Sequence, residues 1–380
     1  MLPEVSDAGL RPTHVEINLK RLAGNLSAIR KQVAPAKVMP VVKANAYGHG
    51  LIPVARYLLA HGADMLGVAI LEEGLALRQA GINAPILVLG GLSPEQIPQF
   101  LRHNLTLTAA SIANLQQIEA VARQTGTLAR VHLKIDTGMG RLGAPYYEAE
   151  PFLAASLEYP HLQVEGIFSH FANSDAADLA SACLQVKRFE QVLRFYDRHG
   201  LSVPLRHMAN SGGILQLPES YYDLVRPGIM LYGVYPSKEA RRTVIVRPAL
   251  TWKTRAVYAK VLRPFHPVSY GSTWQSDHPV RILTLPVGYG DGYFRLLSNK
   301  APLLVNGRKY PLVGRVCMDQ ILVNLEADEG EAGTEAILIG ESGSQSITCD
   351  DLADLVGTIP YEILTNISTR VPRIFVERDD

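Results

Sequence analysis

An α/β architecture, an N-terminal (β/α)8 barrel followed by a C-terminal mainly-β domain, is the fold that this sequence predicts. Three observations carry the prediction. Short apolar runs alternate with amphipathic helical stretches through the first part of the chain, as βα units closing a parallel sheet require. The alternation repeats over about 230 residues, the size of such a barrel. Past "GVYPSKEARRTVIVRP" (233–248) the texture changes to β-like runs between turn residues. The domains are therefore drawn at 1–244 and 245–380.

The barrel strands are read as "VMPVVK" (38–43), "MLGVAI" (65–70), "PILVLG" (85–90), "LTLT" (105–108), "RVHLKI" (130–135), "VEGIFS" (164–169), "LRHMA" (205–209) and "YYDLVR" (221–226), eight in all. Between them lie amphipathic stretches such as "LEEGLALRQAG" (71–81) and "LQVKRFEQVLRFYDRHG" (184–200), the second closing on Gly200 as a helix end should. A doubly wound open sheet would also alternate, but no GxGxxG follows the first strand. In the β domain, "ALTWKTRAVYAKVL", "VRILTLPVG", "PLLVNGRKYPLVGRV" and "EAILIG" are strand-like runs separated by Gly, Pro and Asn-Gly turns.

Composition narrows the function. With 380 residues, 47% hydrophobic and 19% charged, the chain can bury a large core. A formal net charge of +1 provides no global basic field, so neither nucleic acid nor an anionic membrane surface is expected as a partner. No signal-like segment or run of about eighteen apolar residues is present, which points to the cytoplasm. Cys183, Cys317 and Cys349 are scattered without CxxC spacing, so neither a disulfide framework nor a metal site is expected.

In a barrel of this kind the chemistry gathers where the strands end. Lys43 ends the first strand, Lys134 and Asp136 the fifth with Arg141 beyond, His170 the sixth, His207, Asn210 and Ser211 the seventh, and Arg226 with Gly228 the eighth. Singly, each has an ordinary explanation: a strand-end lysine is usually a solvated charge, and a histidine in an apolar run is usually hydrogen-bonded core. Together they describe one polar mouth. A desolvated lysine there can form a Schiff base with a carbonyl cofactor, of which pyridoxal 5′-phosphate is the obvious one. "ANSGGI" (209–214) and "RPGIM" (226–230) offer backbone donors for its phosphate, although taken alone "SGG" is equally well explained as a plain N-cap. Arg226 could face the pyridine nitrogen and keep it unprotonated.

The strings "VVKANAYGHG", "KIDTGMGRLG", "SHFANSD", "HMANSGG", "RPGIMLYG", "VSYGSTW", "LPVGYGDGY", "GRVCMDQ" and "PYEILTNISTRVPR", in this order over nearly the whole chain, resemble the bacterial alanine racemases. The resemblance implies a fold-type III pyridoxal-phosphate enzyme acting on an amino acid, a homodimer whose active sites borrow residues across the interface. Lys43 would carry the cofactor. Tyr47, Asn210, Ser211, the backbone at Gly228 and Ile229, and Tyr361 would hold it, with His170 by the ring and Arg226 at its nitrogen. Arg141 and the partner's Met318 would bind the substrate carboxylate. Lys43 and the partner's Tyr270 would be the two bases, His207 bonding the tyrosine and Arg226 relaying to His207. Tyr289, Cys317, Met318 and Asp319 resemble the family's access corridor and pocket. Lys134 would be carbamylated to pair with Arg141. The product would be D-alanine for peptidoglycan. A serine or broad-specificity racemase is the nearest alternative reading. A fold-type III decarboxylase has no need of a tyrosine opposite the lysine, and a non-catalytic cofactor carrier has no need of the β domain.

Overall fold

A computed structural model describes residues 11–379. The chain divides into two compact units, Leu19–Arg247 and a second made from the described residues up to Asn18 together with those from Pro248 onward.

The first unit is a closed ring of parallel strands. Lys37–Val38, Leu224–Val225, Leu205–His207, Leu162–Phe168, Ala129–Asp136 and Leu107–Ala109 pair side by side in that order. Leu66–Val68 and Ile86–Val88 pair with each other, and single parallel bridges, Val41 to Gly67 and Leu87 to Thr106, join that pair to both edges of the six. All eight expected strands are present, and the bridges close the barrel. The first and last are shorter than their apolar runs. Pro40, inside the first run, has no N–H to donate to a ladder. In the last, Tyr222 turns to a positive φ of 49° just before pairing begins.

The helices follow their apolar spacing. Ala180–Arg198 turns Ala182, Val186, Phe189, Val192, Leu193 and Tyr196 inward, at steps of three, four and one. It ends where the sequence predicts: Gly200 adopts φ +64°, its N–H bonds to Asp197 O at 3.2 Å, and Leu201 N–H reaches Tyr196 O at 2.9 Å. That pair of bonds is a Schellman closure, open to glycine because it has no Cβ to clash in the left-handed region.

The second unit is mainly β. One sheet runs in the order Arg308–Pro311, Pro302–Val305, Glu335–Ser342, Leu250–Arg255, His14–Asn18, Arg373–Val376, and a smaller one joins Tyr258–Leu262, Val280–Leu285 and Ile321–Asn324. Asn306 and Gly307, both at positive φ, make the two-residue hairpin turn that "VNGRKY" predicts. One element departs from the division drawn on the sequence. His14–Asn18 pairs with Leu250–Arg255 and Arg373–Val376, because its alternation buries Val15 and Ile17 in this sheet. Among the described residues, no helix is long and apolar enough to cross a membrane.

Candidate active site

Lys43 stands two residues beyond the bridge residue Val41, at the head of the turn Lys43–Tyr47. Ala44, Asn45, Ala46 and Tyr47 all have φ between 51° and 55°, a complete left-handed turn without a glycine. Each such residue costs roughly 1–2 kcal/mol, so the surroundings must impose it. Glu73 accepts the Ala44 N–H at 2.6 Å while holding Ala69 N–H at 2.8 Å, and the Asn45 side chain accepts Leu51 N–H at 2.8 Å. Tyr232 packs 4.9 Å from the Tyr47 ring and 4.6 Å from that of His49, and its hydroxyl is bonded to Val41 O. This explains the histidine in the opening motif: buried, with Nδ1 2.9 Å from Tyr47 O, His49 props the tyrosine.

The Tyr47 hydroxyl arrives at the turns after the seventh and eighth strands. A Cβ on Gly228 would stand 2.6 Å from it, so only glycine fits there. Ser211 Oγ accepts the Gly228 N–H at 3.0 Å, and Ser211 opens a helical turn capped by Asn210, whose side chain accepts Gly213 N–H. Ile229 begins the next turn, Ile229–Tyr232. Burial and Glu73 push the Tyr47 phenol above its ordinary pKa, so it stays a neutral donor. A phenol, a serine hydroxyl and glycine backbone therefore converge on one corner.

Beside it the buried Arg226 donates to Ser169 O at 2.6 Å and Met208 O at 2.9 Å, and meets His207 Nδ1 at 2.8 Å and His170 Nδ1 at 3.3 Å. His207 Nε2 is in turn 2.8 Å from His132 Nδ1. This corrects one expectation, the bond from His207 to a tyrosine hydroxyl. Both ring nitrogens of His207 are engaged inside the barrel, whereas only Nδ1 of His170 is engaged among the described residues. His132 was not singled out in the sequence. A signal was available, since it lies two residues before Lys134 and so faces the same side of the strand.

Lys134 is buried against the Phe168 ring, 4.9 Å from its centroid, and its pKa is pushed down to about 7, first by burial and then by Arg226. Burial and Arg141 also lower Lys43. His170 is held well below its ordinary value by burial, Arg226, Lys134, Arg141 and Lys43. The mouth thus gathers Lys43, Lys134, Arg141 and Arg226, a set of basic groups that favours an anionic ligand. Asp136 shapes the loop that bears Arg141 by accepting the N–H groups of Gly138, Met139 and Gly140.

The remaining candidates lie in the β unit. Tyr270 sits on a tight turn between Ser269 and Ser272, both at positive φ, and Ser269 Oγ is anchored on Arg315 O at 2.7 Å. The segment around Tyr289 runs against Cys317 and Met318, with Tyr289 N–H to Cys317 O at 3.0 Å and Gly290 N–H to Met318 O at 2.9 Å. Arg370 links Asp319, at 2.7 Å, to the fully buried Asp291, which Arg11 grips with two bonds. Tyr361 lies on the helix Pro360–Asn366. Within the chain alone Tyr270, Met318 and Tyr289 are 70%, 52% and 42% exposed. No cluster of metal-ligating side chains occurs among the described residues.

Known proteins resemble this chain. The family described as "Alanine racemase, N-terminal domain" matches residues 17–236, and "Alanine racemase, C-terminal domain" matches 249–375. An alanine racemase of Carboxydothermus hydrogenoformans is 47% identical over 97% of this chain and 100% of its own. That of Halothermothrix orenii is 42% identical over 96% of each. Among solved structures, the alanine racemase of Clostridium difficile 630 superposes with a TM-score of 0.91 at 34% identity, covering 97% of this chain and 96% of its own. The alanine racemase of Bartonella henselae with covalently bound pyridoxal phosphate does so at 0.88 and 28%, covering 97% and 100%.

Proposed function

The chain belongs to the alanine racemase family, and from that membership we propose that it interconverts L- and D-alanine with pyridoxal 5′-phosphate, using Lys43 and the partner's Tyr270 on opposite faces of the substrate. The observation that carries the reading is the anion corner of Tyr47, Ser211 and Gly228 next to a lysine of lowered pKa.

The residues present fit the cofactor. The Gly228 position leaves no room for a Cβ, so backbone N–H groups can approach a phosphate held by Tyr47 and Ser211. The bonds of Arg226 go to carbonyls and imidazoles, with no carboxylate on it among the described residues, so its charge is directed at the pocket. When bound, the cofactor supplies an electron-withdrawing ring that acidifies the substrate's α-hydrogen. Arg226, a donor without an acceptor atom, holds the ring nitrogen unprotonated. Arg141 and the partner's Met318 orient the substrate carboxylate, so that the α-hydrogen points at one base or the other.

Racemisation requires a proton to leave one face of the α-carbon and another to arrive on the opposite face. Lys43 Nζ, its pKa lowered by burial and by Arg141, takes or returns the proton of the D-enantiomer. The hydroxyl of the partner's Tyr270 does the same for the L-enantiomer. Tyr270, Tyr289 and Met318 are exposed in the single chain, as residues that complete a second copy's pocket would be, which supports the homodimer. His170, whose Nδ1 alone is engaged among the described residues, leaves its Nε2 to meet the phenol, with Arg226 behind it through Nδ1. The D-alanine formed would serve peptidoglycan, and a cytoplasmic setting agrees with three unpaired cysteines.

A panel of L-amino acids, incubated with the cofactor-loaded protein and resolved by chiral chromatography, tests the reading. Alanine is expected to exceed serine by about tenfold or more, the discrimination that a few atoms in a tight pocket provide. Comparable rates would move the assignment to a broad-specificity racemase. Amine formation without inversion would move it to a decarboxylase.

Lys134 extends the proposal. Its neutral amine, abundant near pH 7, can attack the carbon of CO2; an N–C bond forms, a proton leaves, and the product is a carbamate anion that can pair with Arg141. Without that change Lys134 and Arg141 repel each other. Native mass spectrometry at ambient CO2 should show the added mass of one CO2 per chain, increasing as pH rises through 7 and absent in Lys134→Ala. An unmodified amine throughout would defeat the assignment.

A further inference from the structure

We infer that His132 is a positioning residue for this reaction: it terminates a directional chain of hydrogen bonds, from Arg226 to His207 to His132, that holds the Arg226 guanidinium in place under the pocket. Its effect on turnover rests on the racemase reading; its bonding does not.

The direction of the chain follows from donor chemistry. A guanidinium has no acceptor, so His207 Nδ1 must receive the bond from Arg226 at 2.8 Å. A neutral imidazole carries one N–H, which then sits on Nε2 and points at His132 Nδ1, 2.8 Å away. His132 Nδ1 is the acceptor that this buried N–H would otherwise lack. All three side chains are within 3% of complete burial. A buried donor without a partner costs about 1–3 kcal/mol. The natural relief would be rotation of the His207 ring, which would take its Nδ1 away from Arg226.

The backbone is built around this contact. The strands Ala129–Asp136 and Leu162–Phe168 slip register between Val131 and His132, which places Gly166 directly opposite the histidine. A Cβ on Gly166 would stand 2.5 Å from the His132 ring, so the ring occupies space that only glycine vacates. On its other side His207 is stacked on Phe168, centroids 4.6 Å apart and planes 6° from parallel. Phe168 fixes the plane of His207, and His132 fixes the rotation within it.

Three variants and one direct measurement test this. His132→Leu removes the acceptor; in the cofactor-loaded enzyme kcat should fall about tenfold while KM for alanine changes little, because a group acting through Arg226 affects the transition state more than substrate capture. The pH dependence of the bound-cofactor absorbance should shift with it. His132→Gln, which offers an acceptor oxygen, should recover most of the loss, whereas His132→Phe should not. A Leu variant with unchanged kcat and spectrum would overturn the inference, as would a Gln variant no better than Leu, since the ring would then be packing only. Ring-15N histidine NMR of the wild-type protein decides the bonding even if the variants fail to fold. Protonated Nε2 and bare Nδ1 on His207 support the chain; the reverse tautomer, or a doubly protonated His207 at neutral pH, overturns it.

Discussion

Lys43→Ala should eliminate racemisation, with kcat reduced on the order of 10⁴-fold or more, and should remove the bound-cofactor absorbance at the same time. The two losses are coupled because one amine both anchors the cofactor and moves the proton on one face. The fold should survive. The left-handed turn is imposed by Glu73, Asn45 and Tyr232 rather than by the Lys43 side chain. Deleting a cation next to Arg141 relieves repulsion, so the variant should melt at least as high as the cofactor-free wild type. Chiral chromatography, absorbance and a thermal melt on the same sample read all three. Turnover retained without added amine would remove Lys43 from its role.

Tyr270→Phe should reduce racemisation by about 10²–10⁴-fold, the usual contribution of one positioned acid or base. The loss should be unequal. In deuterated solvent the α-proton of the D-enantiomer should still exchange through Lys43, while exchange of the L-enantiomer's proton should nearly stop. At 70% exposure in its own chain the phenol contributes little to the fold, so stability should be unaffected. Equal loss on both enantiomers would contradict the two-base arrangement.

Much of this was legible in local pattern. The eight strand runs, the glycine stop at residue 200 and the Asn306-Gly307 hairpin each depend on side chains that are near neighbours in sequence, and each appears where its residues predict. Lys134 and Asp136 lie at the end of Ala129–Asp136, His207 closes Leu205–His207 and Arg226 follows Leu224–Val225, and barrel topology gathers such ends at one mouth. The assignment of His207 to the tyrosine went astray for the opposite reason: its second nitrogen is taken by His132, a residue 75 positions earlier.

The left-handed turn marks the same boundary. "KANAY" contains no glycine, and its own preferences oppose four consecutive positive φ angles. Glu73 and Tyr232, 29 and 191 residues from their partners on the first strand and its turn, hold it there. The division drawn after residue 244 likewise missed His14–Asn18, whose alternation says that it is a strand but not which sheet receives it. Hydrophobic period and turn chemistry act over a few residues, so strands, stops and the family's motifs could be read from the chain. Partners in hydrogen bonding and strand register are set when distant segments compete for the same donors and the same buried space, and that competition is resolved only in the folded molecule.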